Sequence, residues 1–177
     1  MDRKDKLLAR FAEMEAERRH FLSKLEHLDP SLLAASPTPG AWSVAQVLLH
    51  LAMAEARSMD YLEKKLSVGG HAPLGADALL RLALLRAAMF LPRRYKAPGI
   101  VATVPECSFK EACHEWDRVR QRMAALYATL PSELVAHGLY KHPAAGKLDV
   151  LQGLVFMADH VRHHREQVLR TIRQLTR

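Results

Sequence analysis

The chain has 177 residues, of which 49% are hydrophobic and 25% charged, with a formal net charge of +7. That is the size of one domain, residues 1–177, and the balance of a soluble globular protein with a substantial core. Aromatic residues make up only 6%, while Ala and Leu are abundant, which favours packed helices over a β-sandwich.

No window of about 18 consecutive apolar residues occurs, so no transmembrane helix is expected. The N-terminus leads into an amphipathic segment and not a 7–15-residue apolar run, so no signal peptide is expected. Cys107 and Cys113 make neither a disulfide framework nor a Cys-x-x-Cys motif. A cytoplasmic location is the expectation. Basic residues are interleaved with Asp and Glu along the chain, which argues against the concentrated basic face of a nucleic-acid binder.

Residues 4–27 carry Leu7, Phe11, Met14, Phe21, Leu22 and Leu25 at helical spacing with charges between them. This predicts a first amphipathic helix, stopped by Asp29-Pro30. Its His20 and His27 read as surface histidines. Residues 29–41 contain Pro30, Pro37, Pro39 and Gly40 and read as a stiff connection. Ser43 then caps a second helix. Gln46 completes a capping box, and Trp42 packs on Val47 as a hydrophobic staple. This helix runs to about Ser67 and ends at Gly69-Gly70.

Val44, Val47, Leu48, Leu51, Leu62 and Leu66 draw the apolar face of the second helix. His50 lies at the edge of that face, roughly 100° from its centre at 100° per residue. It reads either as a ligand aimed at a neighbouring helix or as a half-buried histidine bonded to a backbone carbonyl. Arg57 and Tyr61 share its flank and could face an open site.

Residues 68–107 are broken by glycines and prolines around a short apolar helix, Ala76 to Leu91. The stretch is too long for a turn between antiparallel neighbours. It suits a crossover that returns the chain along the bundle, so that the second and third long helices run parallel. Arg93-Arg94-Tyr95-Lys96 reads as a solvated basic loop. Ser108 with Glu111 starts the third long helix, whose stripe is Ala112, Trp116, Val119, Met123, Leu126 and Leu130. Cys113 reads as a small buried thiol, and His114 as a surface histidine or a fourth metal ligand. Leu139 to Pro143 form a short extended stretch.

The last helix spans Leu148 to Leu175, with a single glycine, Gly153, and no proline. Leu154, Met157, Val161, Val168, Ile172 and Leu175 define its core face. His164 lies roughly 60° from the centre of that face and His160 roughly 100°, both on one side, while His163 lies roughly 160° away and faces solvent. His160 and His164 are four residues apart, one above the other, about 6 Å apart. Two histidines so placed, with His50 available on another long helix, favour a metal site over a purely structural cluster.

Three neutral imidazoles suit Zn, Ni, Fe or Cu. Three protein ligands with open positions make the catalytic type of site, which acidifies a bound water or accepts a thiolate. No glutamate lies between His160 and His164, so the general base of a zincin is absent from the motif.

The run Pro39-Gly40-Ala41-Trp42-Ser43-Val44-Ala45-Gln46-Val47-Leu48-Leu49-His50-Leu51, taken with His160-Val161-Arg162-His163-His164-Arg165-Glu166-Gln167, resembles the DinB-like family, the YfiT-like metal-dependent hydrolases. The resemblance spans nearly the whole chain. It implies an all-α, four-helix bundle of up-down-down-up topology, with the short helix inside the crossover between the second and third helices. It implies a divalent metal ion (Ni, Zn or Fe) on His50, His160 and His164, and a homodimer. The activity it implies is a metal-dependent hydrolase or a transferase using a low-molecular-weight thiol such as bacillithiol or mycothiol, acting on a small-molecule substrate. No residue of this chain reads out a particular thiol. The alternative is a non-catalytic metal-binding or stress-response bundle.

Overall fold

Each long helix begins with the same reciprocal cap, in which the side chain at the cap accepts from the third helical N–H while the side chain there accepts from the cap's own N–H. Asp2 and Asp5 start α1 (Arg3–Leu25), and Ser43 and Gln46 start α3 (Val44–Val68). Ser108 and Glu111 start α5 (Phe109–Thr129), and Asp149 and Gln152 start α6 (Val150–Leu175). The two segments between them are α2 (Pro30–Ala34) and α4 (Asp77–Phe90). The computed structural model describes residues 2–75, 77–90, 103–142 and 145–177; the basic cluster Arg93–Lys96 lies outside them. No helix among the described residues is long and apolar enough to cross a membrane.

The direction of each helix follows from its contacts. Lys4 Nζ donates to the carbonyls of Ala128 and Leu130, while Arg18 meets Asp117, so α1 and α5 are antiparallel. Glu55 meets Arg120, and further along Asp60 and Glu63 meet Arg122, so α3 and α5 are parallel. Arg3 pairs with Asp149 and Glu17 with Arg162, which makes α1 and α6 parallel. His50 packs on His164, and Ser58 meets Tyr140 ahead of α6, so α3 and α6 are antiparallel. The bundle is up-down-down-up, with α4 in the crossover, as the sequence implies.

Four local features add to the sequence reading or differ from it. Asp29-Pro30 does more than stop a helix. α1 ends at Leu25, and Asp29 accepts from the Ser31 N–H at 2.8 Å to start α2, with Pro30 at the first helical position that suits its fixed φ. Leu148 belongs to a strand, β2 (Gly146–Leu148), which pairs antiparallel with β1 (Tyr140–His142), so α6 starts only after Asp149. The apolar α4 is not uniformly buried. It buries Ala78 and Leu82 but leaves Leu79, Leu80 and Leu84 more than 60% exposed. Trp42 does more than staple, and its second contact belongs to the site below.

Tyr140 explains the one glycine of α6. A Cβ at Gly153 would stand 2.7 Å from Tyr140 Cγ, so the ring that ties the hairpin to the helix tolerates no side chain there.

The apolar core falls into two clusters with a layer of buried charge between them. Met14, Met59 and Met123 belong to one cluster, and Phe21, Leu51 and Trp116 to the other. Between these levels lie Glu15, Arg18, Glu55 and Arg120, all buried. Arg120 binds the Glu55 carboxylate through two hydrogen bonds of 2.7 Å, and Trp116 Nε1 donates to the same carboxylate at 2.8 Å. Arg120 also reaches Glu15, which is held by Arg18. The two guanidinium groups lie 5.3 and 5.4 Å from the Trp116 ring, within cation–π range. Every charge in the layer is paired, which is the condition for burying charge at tolerable cost.

Arg120→Met leaves the Glu55 carboxylate buried without its main partner and is expected to cost about 3–5 kcal/mol, read from urea unfolding. Adding Glu55→Leu should recover much of that loss. A double variant as unstable as the sum of the two single variants would show that the pair is uncoupled.

Candidate metal centre

His50 lies two turns into α3, at a height fixed at one end by the Ser43 cap and further along by Glu55 in the charge layer. It is buried, at 3% exposure. α6 runs antiparallel beside it and presents His160 and His164. The ring centroid of His50 is 5.4 Å from that of His160 and 4.8 Å from that of His164. One ring nitrogen from each of the three lies within 4.8 Å of the others, so the three could hold one metal ion.

The contact between the α6 pair is the closest. His160 Nε2 and His164 Nε2 are 3.1 Å apart. Two nitrogens on one tetrahedral ion, each at 2.0–2.1 Å, would stand about 3.3 Å apart. The spacing of this pair and the donor chemistry of all three rings therefore fit a first-row divalent ion. Gln167, one turn beyond His164, accepts from His164 Nδ1 at 2.8 Å. That contact puts the proton on Nδ1 and leaves Nε2 unprotonated, the form a metal ligand needs, with its lone pair turned towards His160 Nε2.

Aromatic rings hold the histidines in place. Trp42 lies 4.8 Å from the His50 ring. Phe156 stacks on His160 at 5.9 Å, and His142 from β1 packs on Phe156 in turn, at 4.4 Å. This is the second role of Trp42. It closes one side of His50 as well as joining the apolar cluster that contains Val47.

Burial and mutual repulsion keep His160 and His164 neutral. Burial is the largest cause that pushes His160 well below the ordinary histidine value, followed by His164 and His50. Burial, then His50, pushes His164 down to about 3, against the opposing bond to Gln167. Burial also lowers His142. Neutral imidazole is the ligating state, so no proton need leave these rings before metal binds near neutral pH.

The remaining sequence candidates lie elsewhere. His163 stays partly exposed and meets His164 edge-on at 5.2 Å, outside the group of three converging nitrogens. His114, His20 and His27 are exposed. Tyr61 supports the Lys65 ammonium, 5.6 Å from its ring, and Arg57 is exposed. Cys113 is half-buried, and burial raises its thiol to about 12, so it is not a ready thiolate ligand.

Two residues beside the site escaped the sequence reading. Gln167 had a legible signal, one helical turn from His164. Asp159 had none: it is 1% exposed and pairs with Arg162 and with Arg86 of α4, a partner far away in sequence.

The family model of the DinB superfamily matches residues 13–168. Among solved structures, the chain resembles YfiT from Bacillus subtilis, described as a probable metal-dependent hydrolase with an unusual four-helix bundle topology. The TM-score is 0.52 at 18% identity, over 98% of this chain and 87% of that one. No curated protein matches the chain.

The neutral histidines give acid a defined effect. In the unfolded chain they protonate near their ordinary 6.5, whereas folded His164 resists protonation until about 3. Between those values the unfolded state holds more protons, so lowering the pH favours unfolding. The metal-free protein is therefore expected to be most stable above pH 6.5 and to lose stability as the pH falls towards 3. Urea unfolding across that window measures the slope, and His164→Phe should flatten it.

Proposed function

The chain belongs to the DinB superfamily, and from that footing we propose a divalent-metal protein whose His50, His160 and His164 hold the ion for a metal-dependent hydrolase or thiol-dependent transferase. The observation that carries the reading is the convergence of three imidazole nitrogens from two helices within 4.8 Å. Three ligands leave coordination positions for a small-molecule substrate or a low-molecular-weight thiol. Nickel, zinc and iron all suit this donor set. The ion would supply Lewis acidity at those positions.

The protein's own residues supply the rest. Gln167 fixes the tautomer of His164, and Trp42 and Phe156 hold the planes of His50 and His160. The YfiT description as a probable metal-dependent hydrolase supports the same class. The non-catalytic alternative draws on one observation: Asp159, the carboxylate next to His160, is committed to Arg86 and Arg162 and is not available as a base.

Protein prepared without a nickel column should carry or take up one Ni, Zn or Fe ion per chain by elemental analysis. His50→Ala and His164→Ala should abolish binding, and His163→Ala should retain it. Gln167→Ala should weaken it by about 10–100-fold, as for other groups that orient a ligand. Equal loss in His163→Ala and His164→Ala would refute the assignment. A bound ion with exchangeable positions supports an enzyme, whereas a saturated shell supports the non-catalytic reading.

A further inference from the structure

A pocket of about 550 Å³ lies between the Pro37–Trp42 loop and the C-terminal half of α6. Its size falls in the range of small-molecule sites. Thr38 and Trp42 line one wall, and Gln167, Arg170, Thr171 and Gln174 line the other. Among the described residues, the lining contains one cation and no carboxylate. Four arginines elsewhere in the bundle end on an acid of a neighbouring helix, Arg18 on Asp117, Arg86 on Asp159, Arg120 on Glu55 and Arg162 on Glu17, while Arg165 rests on the Phe21 ring. No carboxylate among the described residues pairs with Arg170, although it stands close enough for its charge to act on His164.

We propose that this pocket binds a small organic carboxylate, with the carboxylate on the Arg170 guanidinium and the body of the ligand against the Trp42 ring. The planar fork of arginine matches a carboxylate through two parallel hydrogen bonds. Thr38, Gln167 and Gln174 surround it with neutral polar groups, and Trp42 offers a flat apolar wall. Arg170 is exposed and reaches the pocket from its open side, and the volume suits a small molecule. The pocket shares Gln167 and Trp42 with the histidine cluster, so its occupant touches the side chains that orient His164 and cover His50. That link to the centre rests on the metal reading above; the carboxylate site itself does not.

The test uses metal-free protein and two probes of one shape, benzoate and its neutral counterpart benzamide. In a nitrogen-15 NMR titration, benzoate should shift the Trp42 indole N–H saturably, with benzamide at least about tenfold weaker. The signal is identified by its loss in Trp42→Phe. Arg170→Gln should weaken benzoate at least about tenfold and erase the preference over benzamide. Arg173→Gln, on the same helix and outside the pocket, should leave both unchanged. Absence of a saturable benzoate shift, or equal losses in Arg170→Gln and Arg173→Gln, would overturn the proposal. Metal plays no part in the titration, so its failure removes the pocket alone, and failure of the elemental analysis removes the centre alone.

Discussion

The bidentate contact between Glu55 and Arg120 fixes more of this structure than any apolar contact does. Two buried charges gain little net stability over well-packed apolar residues, because desolvation consumes most of the attraction. They do set a register. A one-turn slip of α5 along α3 would strand both charges and the Trp116 N–H, whereas a leucine seam would repack. The parallel α3 and α5 need such a device. They are joined by a long crossover and not by a tight turn, so no loop geometry sets their relative height.

That register reaches the candidate centre. His50 sits on α3 just over one turn from Glu55, and Glu15 and Arg18 extend the same layer to α1. α1 in turn holds α6 through Arg3 with Asp149 and Glu17 with Arg162. The heights of His50 and of the His160–His164 pair are thus set by ion pairs on both sides. Two rigid helices carry the three rings, and only local contacts, from Gln167, Trp42 and Phe156, are left to fix how each ring turns. This division suits a ligand set, since helices place atoms more precisely than loops do.

Much of this was legible because it is local. Ser43 with Gln46 and Ser108 with Glu111 announce two helix starts in four residues each, and both caps form. The wheel of α6 separates His164 from His163, and the structure brings the first and not the second to the other two nitrogens. What was missed is non-local or masked by a local habit. Arg18, Glu55 and Arg120 look like solvated charges in a helical pattern, and nothing in the sequence tells that three such residues from three helices meet around Trp116. The α4 segment is nearly all apolar, yet a short helix lying over α6 can bury one face only. Asp29-Pro30 reads as a stop, although the same pair serves as the start of α2.

The seam between α3 and α5 sorts its charges by helix: the acids Glu55, Asp60 and Glu63 lie on α3, and the bases Arg120 and Arg122 lie on α5. Each face therefore fits the other and rejects itself. If the bundle opens in a crowded solution, two exposed α3 faces from different molecules meet acid to acid, and two α5 faces meet base to base. Such like-charge encounters are costly. The arrangement that aligns the helices within one chain thus also discourages α3 from pairing with α3, and α5 with α5, between chains.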